Sequence, residues 1–326
     1  MARGGAPHPA ARRTVLVALG ANASIAVAKL FAGLVSGSSA MLAEAAHSVA
    51  DTMNQVFLLY SLAIGEREPD AEHPFGYGKE RFFWSFLAAV GIFVAGAGFS
   101  LYEGLSRIFG AKTESGSYAI AYAVLAFAAL AEGASLIRAW RQTRAEAAER
   151  SQSHAQYVRA SRDPTTKTVL FEDSAAVVGV VVAFAGVALH EVTGNQVYDG
   201  LASVIIAVLL ATVAVALGRD TKALLIGEAA TAEEREAIRE IVEANPAVDR
   251  LLELLTMALS PDRLLVAARI DLADGLSADE IERASSEIDR ELRERIPMVW
   301  QVFLDATPPR SAAAQAAVDR QQVTGA

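Results

Sequence analysis

Residues 44–54 read Glu44-Ala-Ala-His47-Ser-Val-Ala-Asp51-Thr-Met-Asn54 and form part of a long apolar run. The four polar side chains stand at positions i, i+3, i+7 and i+10, which fall on one face of a helix. Ionisable side chains at membrane depth are costly and usually functional. A histidine and a carboxylate one helical turn apart form a pattern that binds divalent cations. The stretch therefore predicts a membrane helix with a polar, ion-binding face.

The composition of the whole chain supports a membrane protein. Its 326 residues are 53% hydrophobic, with a mean hydropathy of +0.30, which is unusual for a soluble domain of this length. Six apolar segments have about the ~20 residues that a bilayer requires. They cover residues 13–35, 40–64, 82–108, 118–139, 168–190 and 198–217. We predict an α-helical membrane protein whose six-transmembrane-helix bundle spans residues 13–220.

Several function classes are excluded by charge and cysteine content. The net charge is −9, and no basic patch with interleaved aromatic residues occurs, so nucleic acid is not an expected partner. The chain has no cysteine, which excludes disulfides, thiolate zinc sites and cysteine nucleophiles. The lipid bilayer is the partner that the composition predicts.

The Lys and Arg residues of the connecting segments lie mostly on one side of the predicted spans. The N-terminal lead and the segments after the second, fourth and sixth spans are rich in them, whereas the other side shows only Arg107 and Lys112. The positive-inside rule then places both termini in the cytoplasm. We expect an integral, multi-pass protein, located in the inner cell membrane if the chain is prokaryotic.

The C-terminal region, residues 228–309, has a soluble α+β pattern. Two capping-box sequences, Thr231 to Glu234 and Ser277 to Glu280, each predict the start of a helix. Alternating or apolar runs predict strands at 249–259, 262–272 and 298–305. The order helix, strand, strand, helix, strand predicts a small domain with helices covering one sheet face. Residues 1–12 are predicted to be a flexible lead and residues 310–326 a disordered tail.

A second pair of acids, Glu172 and Asp173, follows Val-Leu-Phe and precedes an apolar run in the fifth span. Both acids can lie in the cytoplasmic interface or be buried, and the flanking apolar residues favour burial. Small residues on the same helix (Ala175, Ala176, Gly179 and Ala183) permit close helix approach. We expect this approach to bring Asp173 to the face of His47 and Asp51. These three side chains are the predicted metal ligands, with Glu172 or water as a fourth.

Other polar residues in the spans have two open interpretations, structural or on the ion pathway. Glu44 and Asn54 share the face of His47 and are predicted to flank the ligands. Lys29 either extends to the interface or neutralises an acid. Asp199 either caps the sixth helix or belongs to the pathway. Glu132 in the fourth span has the same two interpretations, structural or on the ion pathway.

These residues together resemble the cation diffusion facilitator family of divalent-metal transporters. The matching motifs are HSVAD at 47–51, EDSAAVVG at 172–179 and HPFGYGKER at 73–81, together with the C-terminal αββαβ pattern. The resemblance covers about residues 13–309. It implies a homodimer, a six-helix membrane domain and a cytoplasmic ferredoxin-like domain. It also implies export of zinc or a related ion from the cytoplasm in exchange for protons, with no resident cofactor.

The resemblance also implies a transport site built from two (His/Asp)-x-x-x-Asp motifs. His47 and Asp51 match the first motif and Asp173 matches the end of the second, but Val169 stands where the family has a ligand. Glu172 is the nearest replacement, and this version is similar to the branch that includes eukaryotic zinc transporter 9. No histidine lies beyond His190, so we expect the C-terminal domain to dimerise rather than hold a histidine-rich zinc cluster.

Three hypotheses follow for the function. The first is a proton-coupled antiporter for a divalent transition metal, with zinc favoured and iron, cobalt or manganese left open. A histidine ligand disfavours magnesium and calcium, which prefer oxygen shells. The second is a membrane-embedded metalloenzyme, although no HExxH sequence occurs. The third is a membrane scaffold or sensor whose soluble domain carries the function.

Overall fold

The computed structural model describes residues 9–110, 118–149 and 151–306. The chain divides into two compact units, Met1–Leu225 and Ile226–Ala326. The first unit is helical throughout its described part, and the second contains both helices and strands. The predicted change of character near residue 228 coincides with this division.

In its described part, the first unit consists of α-helices and one π-helical segment. Its elements are α1 (Pro9–Ser36), α2 (Ser39–Gly65), α3 (Glu80–Gly91), a π-helical segment (Ile92–Gly98), α4 (Phe99–Phe109), α5 (Tyr118–Glu149), α6 (His154–Ala160), α7 (Pro164–Thr193) and α8 (Val197–Ile226). The π-helical segment was not predicted. It joins α3 and α4 into one continuous span, and a Cβ at its Gly96 would lie 3.2 Å from Leu210.

Four helices among the described residues are long and apolar enough to cross a membrane. They are Glu80–Phe109, Tyr118–Glu149, Thr166–Thr193 and Val197–Ile226. The last four predicted spans are therefore confirmed by length and composition. The first two predicted spans form α1 and α2, in which polar residues interrupt the apolar pattern, so the count of six membrane crossings stays a prediction.

Small side chains fill the interior of the helical unit, and large apolar side chains lie on its outside. Ala43 and Ala50 of α2 and Ala175 and Ala183 of α7 are all buried. Small residues let helix backbones approach closely, which is how helices associate where lipid removes the hydrophobic driving force. The predicted small-residue face of α7 is thus confirmed, and it packs α7 against α2.

The loop between α2 and α3 carries most of the sequence HPFGYGKER. Asp70 closes this loop, because its carboxylate accepts hydrogen bonds from the backbone N–H of His73 at 2.7 Å and from the hydroxyl of Tyr77 at 2.6 Å. The bond from Tyr77 lowers the pKa of the Asp70 carboxyl. Gly76 has φ +77°, a left-handed conformation that favours glycine in this turn.

The second unit has the predicted order of elements. They are α9 (Ala232–Glu243), β1 (Val248–Ser260), β2 (Arg263–Leu272), α10 (Ala278–Arg295) and β3 (Val299–Asp305). Both predicted capping boxes are present, with Thr231 and Ser277 as the N-caps of α9 and α10. The described part of this unit forms a three-stranded sheet in the order β1-β2-β3. β1 and β2 are antiparallel, β2 and β3 are parallel, and Ile238, Ile270 and Ile288 are buried in its core.

The predicted flexible lead needs one correction. Residues 9–12 belong to α1, which begins at Pro9, although we placed them in the lead at residues 1–12. Proline is favoured in the first turn of a helix because it has no N–H to leave unpaired there. The rest of the lead and the predicted tail at residues 310–326 lie outside the described residues.

Candidate transport site

A cavity of about 250 Å³ opens inside the helical unit among α1, α2, α5 and α7. Four acidic side chains line it: Asp51 from α2, Glu132 from α5, and Glu172 and Asp173 from α7. Val169 also lines it. The two sequence segments that we predicted to form one site therefore face the same cavity, together with an acid from a third helix.

His47 and Asp51 lie one turn apart on α2, as the helical spacing requires. The His47 Nε2 and Asp51 Oδ2 atoms are 3.4 Å apart, and His47 is 1% exposed. Neither ring nitrogen of His47 has a hydrogen-bond partner within the described part of the chain. Asp51 lines the cavity, whereas His47 does not line it and lies behind Asp51. A buried imidazole without a partner is available as a nitrogen ligand.

Glu172 and Asp173 are each held by a neighbouring helix. The Asn54 Nδ2 donates to both carboxylate oxygens of Glu172, at 2.6 Å each, so Asn54 connects α2 to α7. The Ser135 hydroxyl of α5 donates to Asp173 Oδ2 at 2.7 Å. These hydrogen bonds stabilise carboxylates that would otherwise be costly to bury.

Of the predicted ligands, Asp51, Glu172 and Asp173 line the cavity and His47 does not, and the four do not converge on one point. Across residues 9–110, 118–149 and 151–306, no three histidine, aspartate or glutamate side chains are grouped closely enough to hold an ion. Instead, Glu172 accepts hydrogen bonds from Asn54, and Asp173 accepts one from Ser135. The assignment of His47, Asp51, Asp173 and Glu172 as ligands stays a prediction.

The buried Lys29 connects Glu44, which lies on the same helix face as His47, to Glu132, which lines the cavity. Lys29 of α1 donates to Glu44 Oε2 at 2.8 Å and to Glu132 Oε1 at 2.6 Å. Lys29 and Glu44 are both 0% exposed. Of the two open interpretations, Lys29 thus neutralises acids rather than extending to the interface. Sequence reasoning left Glu132 undecided, although its spacing from Ser135 and Arg138 on one face of α5 is the signal that it lines the cavity.

Two family models match the chain almost end to end. The cation efflux transmembrane domain matches residues 15–226, and the cytoplasmic domain of cation efflux proteins matches residues 230–308. The chain belongs to the cation efflux family. Members of this family are transporters, so the prediction that the chain is not an enzyme is confirmed, and the metalloenzyme hypothesis is set aside.

Named relatives are found in animals, plants and bacteria. The mitochondrial proton-coupled zinc antiporter SLC30A9 of Xenopus laevis is 34% identical over 282 residues, which is 86% of this chain and 50% of that protein. Metal tolerance protein C4 of Arabidopsis thaliana is 34% identical over 260 residues, 80% of this chain and 57% of that protein. Magnetosome protein MamM of Paramagnetospirillum magneticum is 39% identical over 85 residues, 26% of each chain. The chain spans about half the length of the first two relatives.

In this cation efflux protein Asp199, for which a cap of the sixth helix and a place on the pathway were both open, contacts the start of a different helix, α2. It lies in the first turn of α8, but its carboxylate accepts from Ser38 Oγ at 2.5 Å, Ser39 N at 2.7 Å and Ala40 N at 3.3 Å. It therefore binds the N-terminus of α2, where backbone N–H groups lack helical partners and a negative charge is favoured. Asp199 fixes the start of the helix that carries His47 and Asp51.

Gly179 leaves the space that Glu44 occupies in this cation efflux protein. A Cβ at position 179 would lie 2.2 Å from Glu44 Oε1. The glycine of the motif EDSAAVVG thus permits the contact between α7 and α2 at the level of the Lys29–Glu44 ion pair. Any side chain at this position has to displace a buried carboxylate.

Gly179→Ala is therefore expected to destabilise the protein by about 1–3 kcal/mol, because overpacking a buried site forces side chains from their positions. The measurement is the melting temperature of the full chain in detergent. Gly133→Ala on α5 is the matched control, since a Cβ there meets nothing within 4 Å. The control should be neutral or more stable by about 0.5–1 kcal/mol, as for alanine replacing glycine in a helix. If the Gly179 variant and the wild type melt at the same temperature, Gly179 and Glu44 are not in close contact.

Proposed function

We propose that the chain is a proton-coupled antiporter that exports a divalent transition-metal cation, most favourably zinc, from the cytoplasm. The observation that carries this proposal is the cavity inside the helical unit into which Asp51, Glu132, Glu172 and Asp173 project from three helices. Buried acids at membrane depth are costly and mark ion pathways. Membership in the cation efflux family supports the same function.

The donor set favours a transition metal. His47 supplies nitrogen, and Asp51, Asp173 and Glu172 supply oxygen, which suits zinc, cobalt or ferrous iron better than magnesium or calcium. Val169 cannot bind a cation, so we propose Glu172 as the replacement for the ligand that the family has there. A cavity of about 250 Å³ has room for a cation with several waters, since each water occupies roughly 30 Å³.

Proton coupling follows from the same side chains. Imidazole and carboxylate groups bind a cation only when they are deprotonated, so a proton and a metal ion compete for each of them. Loading from the cytoplasm then releases protons, and protonation from the opposite side releases the metal. The Xenopus relative is named a proton-coupled zinc antiporter, which supports this exchange.

The membrane arrangement is also part of the proposal. Helices α1 and α2 join the four apolar helices as membrane spans, with both termini in the cytoplasm. The C-terminal unit, with its αββαβ order, is a ferredoxin-like domain through which two copies form a homodimer. The match of residues 230–308 to the cytoplasmic domain of cation efflux proteins supports this placement.

The test is transport by the full chain in liposomes that contain a zinc-sensitive dye and a pH-sensitive dye. We expect zinc uptake to increase when the lumen is more acidic than the outside, together with a rise in luminal pH. Cobalt, ferrous iron and manganese are the competing cargoes, and calcium is the control that should not be carried. Zinc uptake that is independent of the pH gradient would contradict proton coupling. If iron, cobalt or manganese is taken up faster than zinc, that metal is the preferred cargo instead of zinc.

A further inference from the structure

We propose that Glu132 is a further cation ligand of the cavity, and that Lys29 is its resident counter-ion, which an entering divalent cation displaces. This inference rests on the proposed transport function. It concerns α1 and α5, which lie outside the two motifs that the family resemblance identifies. The sequence of α5 contains no metal-binding motif. Glu132 lies at the cavity because of how α5 packs against the neighbouring helices.

The position of Glu132 is the first step of the argument. It lines the same cavity as Asp51, Glu172 and Asp173, and its side chain is 13% exposed. One carboxylate oxygen, Oε1, accepts from Lys29, whereas Oε2 is buried without a hydrogen-bond partner in the described residues. A buried carboxylate oxygen that no donor satisfies is costly unless a cation or water approaches it.

The second step is a set of unsatisfied oxygens around the cavity. Asp51 Oδ1 and Asn54 Oδ1, both on cavity-lining residues, also lack hydrogen-bond partners within the part of the chain that the structure describes. Asn54 is 1% exposed, so water outside the protein does not satisfy its oxygen. Oxygens of carboxylate and amide groups from α2 and α5 thus face one space. This arrangement fits a positive ligand rather than an apolar or anionic one.

The third step explains how Lys29 can leave Glu132. Lys29 bonds two acids, Glu44 at 2.8 Å and Glu132 at 2.6 Å, so it retains a buried partner when one bond breaks. A divalent cation at Glu132 supplies more charge than the ammonium group that it replaces. Lys29 and Glu44 then form a closed ion pair, and the Glu132 carboxylate is free to join Glu172 in the proposed ligand set.

The experiment compares zinc binding to the full chain in detergent, by calorimetric titration, with zinc transport in liposomes. Glu132→Gln keeps the size of the side chain and an oxygen that can accept from Lys29, but removes the charge. We expect its half-saturating zinc concentration to rise by at least about tenfold in both measurements, the loss typical of removing a group that supports a metal site. Glu103→Gln on α4 is the matched control and should stay within twofold of the wild type.

A second variant tests the role of Lys29. Lys29→Met combined with Glu44→Gln removes one positive and one negative charge, so the net charge of the site is unchanged and Glu132 has no counter-ion. We expect this protein to bind zinc at least as tightly as the wild type. Weaker binding would overturn the counter-ion role, because it would mean that Lys29 supports the site.

The outcomes separate this inference from the proposed function. A purely structural role of Glu132 would lower the melting temperature of Glu132→Gln and leave its half-saturating zinc concentration within twofold, which would overturn the inference while wild-type transport continued. If the wild-type protein binds zinc through Glu132 but does not transport it, the proposed function would be overturned, whereas the role of Glu132 as a ligand would be supported.

Discussion

Asp51→Ala is expected to reduce zinc uptake into liposomes to the level of liposomes without protein. Asp51 lines the cavity, lies 3.4 Å from His47, and has one buried oxygen without a hydrogen-bond partner in the described residues. Removing it deletes a proposed oxygen ligand and the carboxylate that lies beside His47. Cation transport requires ligands that bind the ion strongly enough to strip its water, so loss of this group affects loading directly.

The matched control for this prediction is Asp249→Ala, the same substitution at an exposed position of β1. Both variants should be produced in comparable amounts and reconstituted at equal density. Zinc uptake by the control should equal that of the wild type. Undiminished uptake by the Asp51 variant would show that this aspartate is not a ligand and would overturn the proposed site.

Asp199→Ala is expected to cost about 3–5 kcal/mol of stability, the usual result of breaking a buried charged network from one side. The carboxylate is 0% exposed and accepts from the side chains and backbone of the first residues of α2. Without it, these donors at the helix N-terminus stay buried and unpaired. The melting temperature of the full chain in detergent should fall by on the order of 10 °C.

Asp220→Ala on the same helix is the control, because Asp220 also forms an ion pair, with Lys167 at 2.9 Å, but its side chain is 45% exposed. An exposed pair typically contributes about 0–1 kcal/mol, so this variant should melt close to the wild type. Asp199→Asn should lie between the two, since the amide oxygen still accepts hydrogen bonds without the charge. Equal melting temperatures for the two alanine variants would contradict the role of Asp199 at the start of α2.

Local patterns in the sequence predicted the elements well. The capping boxes at Thr231 and Ser277 require only residues three positions apart, and both are present. The strands lie within one residue of the predicted bounds, because apolar runs between turn residues depend on short stretches of chain. The spacing of His47 and Asp51 likewise predicts their contact, since it depends only on the pitch of one helix.

Contacts between distant parts of the chain were not predictable in the same way. For Asp199 the sequence left two interpretations open, a cap of the sixth helix or a pathway residue, and neither named Ser38, its hydrogen-bond partner 161 positions earlier in the chain. Glu132 bonds Lys29 across 103 positions. Nothing in the pattern of either helix encodes such a partner, because the partner depends on which faces of two helices pack together.

The sequence by itself determined the helical membrane-type unit, the α+β unit that follows it and the family to which the chain belongs, because these depend on hydropathy, local spacing and motifs. The tertiary structure decided which polar residues share the cavity and which serve the packing. It brought Glu132 to Asp51, directed Asp199 to the start of α2, and turned Glu172 toward Asn54. The physical reason is that a buried charge has to find a partner in three dimensions, and the partner is set by helix packing rather than by neighbouring residues.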